Sequence, residues 1–249
     1  MFNSLRNNLQ VVKCTRTEFQ TLQHYHYIPE NPVCTRGFYK CIAKPGTVGN
    51  FPDPLGVIVY AVPIGEWRAR NVAVNEFFSK YPNRSHRQSA INANVTYIAR
   101  IIVDPRFHRL GIGTKLIKET LPLQDYHWIE TMTPPDRYLQ LFLKLGFRSV
   151  VQPTPLIYIE MQHVLDRVGV SRQYWSNPEI ATTYIENLNK YKSDLFNKTA
   201  KKFLKNFSGH ESELRGYERI RYILSKIKYP NMYFILTRED VPLKPPKAR

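Results

Sequence analysis

The sequence predicts an α/β protein, in which a mixed central sheet is flanked by helices and followed by a basic, mainly helical C-terminal extension. Three observations support this fold class. Strand and helix patterns alternate through most of residues 9–162, a loop with two glycines joins a strand to a helix at residues 104–113, and the chain beyond residue 163 is helical in pattern and rich in lysine. We therefore expect one domain at residues 1–163, with an insertion at 64–94, and an extension at residues 164–249.

The first 63 residues predict three strands and one helix. Apolar and alternating runs indicate strands at Leu9–Cys14, Gly37–Ala43 and Leu55–Pro63. The last of these is apolar nearly throughout, as expected of a strand that is covered on both faces. A helix is predicted at Thr17–Tyr27, with Thr17 as its N-cap.

Residues 64–94 have the character of an insertion between two strands. Apolar residues recur at helical spacing over Glu66–Tyr81, which predicts a helix. The polar run Asn83–Arg87 predicts a loop, in which Arg84 and Arg87 are candidate contacts for nucleic-acid phosphates.

The rest of the predicted domain alternates strands with helices, which is typical of a mixed α/β layer. Helices are expected at Gly113–Thr120 and Asp136–Leu145, and strands at Val95–Val103, Tyr126–Met132, Phe147–Val151 and Leu156–Gln162.

The extension begins with a clear helix start, because Asn177 can cap a helix, Pro178 suits its first turn and Glu179 suits the positive end of its dipole. The residues that follow at spacings of four, three and four predict one apolar stripe: Tyr184, Leu188, Tyr191 and Leu195. We also expect a helix at Gly216–Ile227, a short strand at Met232–Thr237 and disorder over residues 241–249.

The charge balance indicates a polyanionic partner. The chain has 36 Lys and Arg against 20 Asp and Glu, a net charge of +16 with a pI of about 9.8. Residues 164–249 hold 17 basic and 9 acidic side chains, half of the excess in the shorter part of the chain. A field of this sign attracts nucleic acid first, although a basic protein without such a partner is the alternative. The candidate phosphate contacts in the extension are Lys198, Lys201, Lys202 and Lys205.

Location and redox state follow from what the sequence lacks. No stretch approaches the roughly 18 apolar residues of a membrane span, and the start of the chain lacks the pattern of a signal peptide. Cys14, Cys34 and Cys41 are an odd set without a Cys-x-x-Cys pair, which argues against a disulfide framework and a zinc site. We expect a cytoplasmic protein, in the host cytoplasm if the source is viral, with no membrane partner.

The loop at residues 104–113 has the features of an anion site. Asp104-Pro105 ends a strand, and Gly111 and Gly113 allow the backbone to turn tightly before a helix begins. The free N–H groups and the positive end of that helix would face a bound pyrophosphate. The predicted binding residues are Ile102, Val103, His108, Arg109, Leu110, Gly111, Ile112, Gly113 and Thr114.

This loop resembles that of the GNAT acyltransferases, in which the pattern Gln/Arg-x-x-Gly-x-Gly/Ala binds the pyrophosphate of acetyl-CoA. His108-Arg-Leu-Gly-Ile-Gly113 matches both glycines and departs from the pattern at His108. Leu145-Gly146-Phe147 matches the usual helix ending before the sixth strand. The resemblance covers roughly residues 9–162. It implies a GNAT-like fold, acetyl-CoA or another acyl-CoA as cofactor, and acyltransferase activity.

The resemblance leaves the acid and the base of the reaction to be assigned. Many GNAT enzymes have a tyrosine where this chain has Phe142, so the usual acid is absent from its usual position. Tyr138, one helical turn earlier, is the substitute candidate, with ordinary packing as the alternative. Glu130, an acid in an apolar strand, is the candidate base, and a structural ion pair between Glu130 and Arg100 is the alternative.

Other features resemble the GNAT group around the phage Mu Mom protein, which modifies adenine in DNA. They include the strand at Leu55–Pro63 and the run Arg68-Ala-Arg-Asn71. In that group an arginine, an acid and a tyrosine in this order are implicated in activity, and they match Arg100, Glu130 and Tyr138 here. Members have been linked to iron, so His24 and His26 are candidate metal ligands; an aromatic helix end without metal is the favoured alternative.

The sequence thus predicts acyl-CoA-dependent modification of an exocyclic amine of nucleic acid, most favourably adenine in DNA rather than a base in RNA. Because such an amine is a poor nucleophile, extrusion of the base and stacking on Trp67, Tyr25 or Tyr27 would assist the reaction. Two alternatives stay open. One is a GNAT toxin or modifier that acts on aminoacyl-tRNA, and the other is a nucleic-acid-binding module that keeps the fold without the chemistry.

Overall fold

The computed structural model describes residues 5, 7–26, 31–63, 65, 67–133, 135–150, 154–207, 213–228 and 232–246, with the backbone alone at residues 135–138, 176 and 228. The chain divides into two compact units. The first unit contains Met1–Thr133, Tyr138–Val151 and Met232–Arg249, and the second contains Pro134–Arg137 and Gln152–Asn231.

A seven-stranded mixed sheet forms the centre of the first unit, in the order β1-β2-β3-β4-β5-β7-β6. β4 and β5 run parallel, and the other neighbours run antiparallel. The predicted fold class, a mixed sheet flanked by helices, is confirmed. The strands are β1 (Leu9–Lys13), β2 (Thr35–Ala43), β3 (Gly56–Ala61), β4 (Val95–Val103), β5 (Trp128–Thr133), β6 (Arg148–Val150) and β7 (Met232–Thr237).

Helices cover both faces of this sheet because the strands alternate apolar side chains between them. On one face, α4 (Ile112–Thr120) and α5 (Pro135–Lys144) pack against a core that includes Ile58, Tyr60 and Ile98. On the other face, α1 (Arg16–Gln23) packs on Val57 and Val59 of β3 and on Ile102 of β4. Two helices of the insertion, α2 (Arg68–Ala73) and α3 (Arg84–Asn94), share a cluster with Val95, Trp128 and Tyr233.

The start of α1 differs from the prediction, which made Thr17 the cap. Thr15 is the N-cap: its hydroxyl accepts from the backbone N–H of Glu18 at 3.2 Å, and its own N–H donates to the Glu18 carboxylate at 2.7 Å. Thr15 and Glu18 together form a capping box, whereas Thr17, although Gln20 follows it three residues later, lies inside the helix.

Two predictions for the insertion are wrong. The helix expected over Glu66–Tyr81 ends at Ala73, because Asn75 and Glu76 adopt positive φ angles of 48° and 56°, and a short 3-10 helix follows at Phe77–Lys80. The loop expected at Asn83–Arg87 is the first turn of α3. The Asn83 side chain starts that helix by accepting from the N–H groups of Ser85 at 2.8 Å and His86 at 3.3 Å.

The second unit is helical in its described part. Its helices are α6 (Leu156–Val168), α7 (Pro178–Glu186), α8 (Lys190–Leu204) and α9 (Gly216–Lys228), with a 3-10 helix at Arg172–Ser176. The strand predicted at Leu156–Gln162 is wrong: the buried residues Met161, Leu165 and Val168 recur at helical spacing and pack into the unit's own core.

The apolar stripe predicted from Tyr184 to Leu195 is wrong as well. α7 ends at Glu186, and Asn189 begins α8 by accepting from the N–H of Lys192 at 3.0 Å. Tyr184 and Tyr191 consequently lie at the surface, 45% and 67% exposed.

The units differ from the division predicted at residue 163. β7 belongs to the first unit, where it pairs with both β5 and β6. Residues 241–246, which we expected to be disordered, follow it along the same unit. The buried Asn94 side chain accepts from the N–H of Lys244 at 2.7 Å and donates to its carbonyl at 2.8 Å, which fixes this segment. Within the described residues, no helix has the length and apolar character to cross a membrane.

Candidate active site

The parallel strands β4 and β5 are paired over a short distance only. Their described register joins Val95 to Trp128, Thr96 to Ile129 and Tyr97 to Glu130, whereas β4 continues to Val103 and β5 to Thr133. Thr131 donates from its hydroxyl to the carbonyl of Ile98 at 3.0 Å just beyond the last pair. Two strands that separate in this way leave backbone N–H and C=O groups available for a ligand.

A bulge in β4 lies at the same place. Val59 of β3 faces Arg100, but Tyr60 faces Ile98, so Ala99 is an extra residue in β4. The bulge puts Tyr97 and Arg100 on the same face of the sheet, since they pair with Ala61 and Val59, which are two residues apart. Arg100 is half-buried there, and its Nη1 donates to the carbonyl of Ala99 at 2.7 Å.

The carboxylate of Glu130 is held by two side chains beside this separation. Arg70 donates from Nε to Oε2 at 2.8 Å and from Nη2 to Oε1 at 2.6 Å, and the Tyr233 hydroxyl donates to Oε2 at 2.6 Å. All three side chains are fully buried. The predicted alternative was a structural ion pair between Glu130 and Arg100. Glu130 does form a structural ion pair, but its partner is Arg70 of the insertion helix α2 and not Arg100.

The network stabilises the charged form of Arg70. Burial lowers the pKa of Arg70, but the hydrogen bonds and charge of Glu130 raise it above its ordinary value overall. Burial, reinforced by the negative charge of Glu130, raises the pKa of the Tyr233 hydroxyl, which stays a donor. Glu130 has no exposed surface in this arrangement, and its role as the base stays a prediction.

Aromatic rings surround the network. The Trp67 ring lies 5.6 Å from that of Tyr97 and 5.8 Å from that of Tyr233, edge to face in both cases. Trp67 is half-buried, so part of its surface remains accessible. Tyr25, another predicted stacking residue, is 43% exposed beside His24, and Tyr27 lies outside the described residues.

The glycine loop follows β4 directly. Asp104 is buried and accepts from the backbone N–H of Arg106 at 3.0 Å, and its hydrogen bonds with Arg106 hold the pKa of its carboxyl below the usual range. A 3-10 helix at Pro105–Phe107 leads into the loop, and His108 Nε2 lies 3.1 Å from the carbonyl of Val103. His108 and Arg109 are both exposed at this bend.

Gly111 is the N-cap of α4 and adopts a left-handed φ of 79°. A Cβ on Gly111 would have nothing within 4 Å, so the backbone conformation rather than lack of space requires glycine here. The N–H groups of the next residues, Ile112, Gly113 and Thr114, belong to the first helical turn and lack acceptors within α4. These donors lie at the end of the loop where the sequence predicts an anion site, and that site stays a prediction.

The helix that was expected to supply the acid is α5. Tyr138 lies in α5, but its side chain is outside the described residues. Phe142 is buried, and its ring lies 5.2 Å from the rings of both Phe147 and Phe234. The position that holds a tyrosine in many GNAT enzymes is thus part of the apolar core here.

The predicted phosphate contacts fall into two sets with different surroundings. Arg84 is exposed at the first turn of α3, whereas Arg87 donates to the carbonyls of Tyr81 at 2.9 Å and Pro82 at 3.3 Å and so holds the turn before it. In the second unit, the side chains of Lys198, Lys201, Lys202 and Lys205 are all exposed near the end of α8.

Iron was a candidate cofactor at His24 and His26. Across the residues that the structure describes, no group of three His, Cys, Asp or Glu side chains is placed to hold a metal ion. In that part of the chain, His24 and His26 therefore lack the further ligands that an iron site would require.

Arg70 and Tyr233 were missed by sequence reasoning. Arg70 stands in the run Arg68-Ala-Arg-Asn71, which the sequence singled out without a role, and Tyr233 stands in a strand that was placed in the extension. Arg70 is 60 residues from Glu130 along the chain and Tyr233 is 103 residues from it. No local pattern identifies partners at such separations.

Several solved structures are similar to this chain at low identity. The ribosomal-protein-S18-alanine N-acetyltransferase of Escherichia coli is 11% identical, with 57% of this chain and 79% of that chain covered and a TM-score of 0.37. NAA60 of Arabidopsis thaliana in complex with acetyl-CoA is 12% identical, with 57% and 86% covered and a TM-score of 0.42. An acetyltransferase of Bacillus subtilis in complex with CoA is 16% identical, with 58% and 78% covered and a TM-score of 0.36. No curated protein sequence matches the chain.

The model of the acetyltransferase (GNAT) family matches residues 69–147. The match includes most of α2, the separation of β4 from β5, the glycine loop and α5. It confirms the predicted resemblance to GNAT acyltransferases, while the closer resemblance to the Mom group stays a prediction. Residues 69–147 therefore match the acetyltransferase (GNAT) family.

Proposed function

We propose that this chain transfers an acyl group from an acyl-CoA, acetyl-CoA first, to an exocyclic amine of nucleic acid, with adenine in DNA as the favoured acceptor. The observation that carries the acyl-CoA part is the course of β4. β4 separates from β5 after Tyr97 and continues to Val103, where the glycine loop begins. In an extended strand these two residues are about 20 Å apart.

An acyl-CoA suits both ends of that path. Its pyrophosphate matches the free N–H groups at the start of α4, beside the exposed side chains of His108 and Arg109. Its extended arm carries amides, which can hydrogen-bond to the edge of β4 in the way that an added strand would. The thioester would then lie near the bulge at Ala99, beside Arg100 and Tyr97.

The reaction forms one N–C bond and breaks one C–S bond. The acceptor nitrogen attacks the thioester carbon, an oxyanion develops and collapses, the nitrogen loses a proton, and the CoA thiolate gains one as it leaves. Arg100 is the proposed cation at the developing charge, because the bulge turns it to the face that carries Tyr97. Tyr138 remains the proposed proton donor to the thiolate.

The geometry favours a positioning role for Glu130. Both carboxylate oxygens accept hydrogen bonds from buried donors, so a substrate proton would have to displace Arg70 or Tyr233. We propose that Glu130 fixes the insertion helix, and with it Trp67, over the point where the strands separate. Trp67 would then be available to stack on an acceptor base.

Nucleic acid as the acceptor is supported by charge. The net charge is +16, and exposed lysines occupy one end of α8. Adenine in particular is proposed from the resemblance to the Mom group, which carries that specificity.

One experiment tests the activity. The purified chain is incubated with acetyl-CoA and DNA, the DNA is digested, and the nucleosides are analysed by mass spectrometry. An acetyl group on deoxyadenosine is the expected product. If acetyl transfer requires charged tRNA instead of DNA, the alternative function, a modifier of aminoacyl-tRNA, would replace this proposal. If calorimetry shows that the chain binds nucleic acid but does not bind acetyl-CoA, the result would indicate a non-catalytic nucleic-acid-binding module.

A further inference from the structure

The exposed face of α8 carries an aromatic ring in line with lysines. Tyr191, Lys198, Lys202 and Lys205 follow one another at spacings of seven, four and three residues, which places them on one side of a helix. All four side chains are exposed. We call these residues, together with Lys201, the α8 ridge. Lys198 and Lys205 are about 10 Å apart along the helix axis, and Tyr191 lies about 10 Å before Lys198.

The fold does not need the ridge. The opposite side of α8 buries Phe196, Ala200, Phe203 and Leu204 in the core of the second unit. α8 has five lysines and one aspartate within Lys190–Leu204, and Lys205 follows. Lys202 is paired with Glu160 of α6 at 2.6 Å, both partly exposed, so solvent weakens this pair. Among the residues that the structure describes, the ridge therefore keeps a positive charge that its one weak ion pair does not neutralise.

Tyr191 adds a chemical feature that a phosphate contact does not require. Its ring is 67% exposed, and Arg167 of α6 donates to its hydroxyl at 3.4 Å, which places another cation beside the ring. Of the four tyrosines that are exposed in the described part of the chain, Tyr184, Tyr191 and Tyr217 lie in the second unit. Exposed rings among cations can stack on a base only where that base is unpaired, because a duplex covers both faces of its bases.

We propose that the α8 ridge binds single-stranded DNA, with its lysines on successive phosphates and Tyr191 stacked on a base. The proposal rests on the proposed function in taking nucleic acid as the partner, and it specifies the form in which that partner is held. A strand bound in this way is already unpaired, so its exocyclic amines are accessible without the cost of extruding a base from a duplex.

The test uses the full chain and a fluorescently labelled 20-nucleotide DNA, single-stranded and as a duplex, with anisotropy measured over a series of salt concentrations. We expect tighter binding of the single strand. Tyr191→Ala should weaken that binding about tenfold at every salt concentration, because it removes stacking and no charge. Tyr191→Phe keeps the ring and should restore most of the affinity.

The lysines should behave differently from the tyrosine. In a Lys198→Gln/Lys205→Gln double variant the slope of log affinity against log salt should become shallower by about 1.4, or about 0.7 for each charge removed. The matched control is Lys192→Gln, because Lys192 is half-buried and points about 100° away from Tyr191. It should change the slope much less.

Equal or tighter binding of the duplex would overturn the proposal, as would an unchanged affinity of Tyr191→Ala for the single strand. An RNA strand bound in preference to DNA would also overturn it. These outcomes are separate from the proposed activity. Acetyl-CoA binding and acetylated nucleosides test the acyl transfer in the same preparation, so either proposal can fail while the other holds.

Discussion

Arg70 and Glu130 form a fully buried ion pair with two hydrogen bonds, Nε to Oε2 at 2.8 Å and Nη2 to Oε1 at 2.6 Å. The pair joins the insertion helix α2 to β5 at the last residue pair that β5 shares with β4. Arg70 Nη1 also donates to the carbonyl of Gly65 at 2.5 Å, so the start of the insertion is fixed by the same side chain. Such pairs have little net effect when both partners are replaced together, but the loss of one partner leaves a buried charge uncompensated.

Arg70→Ala should therefore lower the free energy of unfolding by about 3–5 kcal/mol, because Glu130 would remain buried without its cation. Urea denaturation measures this loss. Arg68→Ala is the matched control, since Arg68 is exposed on the same helix, and it should change stability by less than about 0.5 kcal/mol. Equal effects of the two substitutions would show that the Arg70–Glu130 pair does not hold the insertion.

Tyr138→Phe should reduce acyl transfer by about 10²–10⁴-fold and leave acetyl-CoA affinity unchanged, because a proton donor acts in the transition state. Turnover and calorimetry measure the two quantities. Phe142→Tyr should not raise the rate. It would place a hydroxyl among Phe147 and Phe234 and lower stability by about 1–3 kcal/mol. A rate gain in Phe142→Tyr would show instead that the usual GNAT position still serves the reaction.

The two loop glycines should respond differently to alanine. Gly111→Ala strains the left-handed N-cap by about 1–2 kcal/mol and should lower both stability and acetyl-CoA affinity. Gly113→Ala meets nothing nearer than 3.9 Å, so the free chain should tolerate it while acetyl-CoA binding weakens.

Gly169→Ala provides the control for strain alone. Gly169 ends α6 at a φ of 101°, away from the loop in sequence and in the other unit. The Gly169→Ala substitution should lower stability without changing acetyl-CoA affinity, as measured by calorimetry. If Gly113→Ala binds acetyl-CoA as well as the native chain, the loop does not approach the pyrophosphate closely.

Stability should fall in acid partly through Glu18. Its hydrogen bond with Lys40, and to a smaller extent its hydrogen bonds with Thr15, lower the pKa of its carboxyl to about 2. Because the pKa is depressed in the folded state, this contribution is complete above the ordinary pKa of about 4.3 and is lost as the pH falls from there towards 2. Glu18→Gln should flatten the fall of the urea midpoint between pH 5 and pH 2 (roughly the range between the two pKa values). Glu186→Gln, which removes another exposed carboxylate, is the control; an equal flattening there would contradict the role of Lys40.

Local sequence predicted much of the framework. β4, α4 and α9 were located to within about a residue or two, because periodicity and end signals act over a few neighbours. The same signals led to wrong predictions in two cases. At Asn83 a helix cap was overlooked. At Leu156–Val168 an apolar run of β-branched and aromatic residues fitted the period of a strand as well as that of a helix. In that segment burial at spacings of four and three residues selected the helix, and burial is a property of the assembled unit.

The sequence by itself determined the glycine loop, the GNAT resemblance and the positive charge, because each depends on residues close together or on composition alone. Tertiary structure decided the partner of Glu130, the face on which Arg100 lies and the place of β7. Arg70 and Tyr233 lie 60 and 103 residues from Glu130 along the chain, so they contact it only in the folded protein. Arg100 shares a face with Tyr97 because one extra residue, Ala99, shifts the alternation of β4 against β3. The strand at Met232–Thr237 was foreseen as a strand, but its insertion between β5 and β6 depends on hydrogen bonds to both neighbours, which no pattern within six residues encodes.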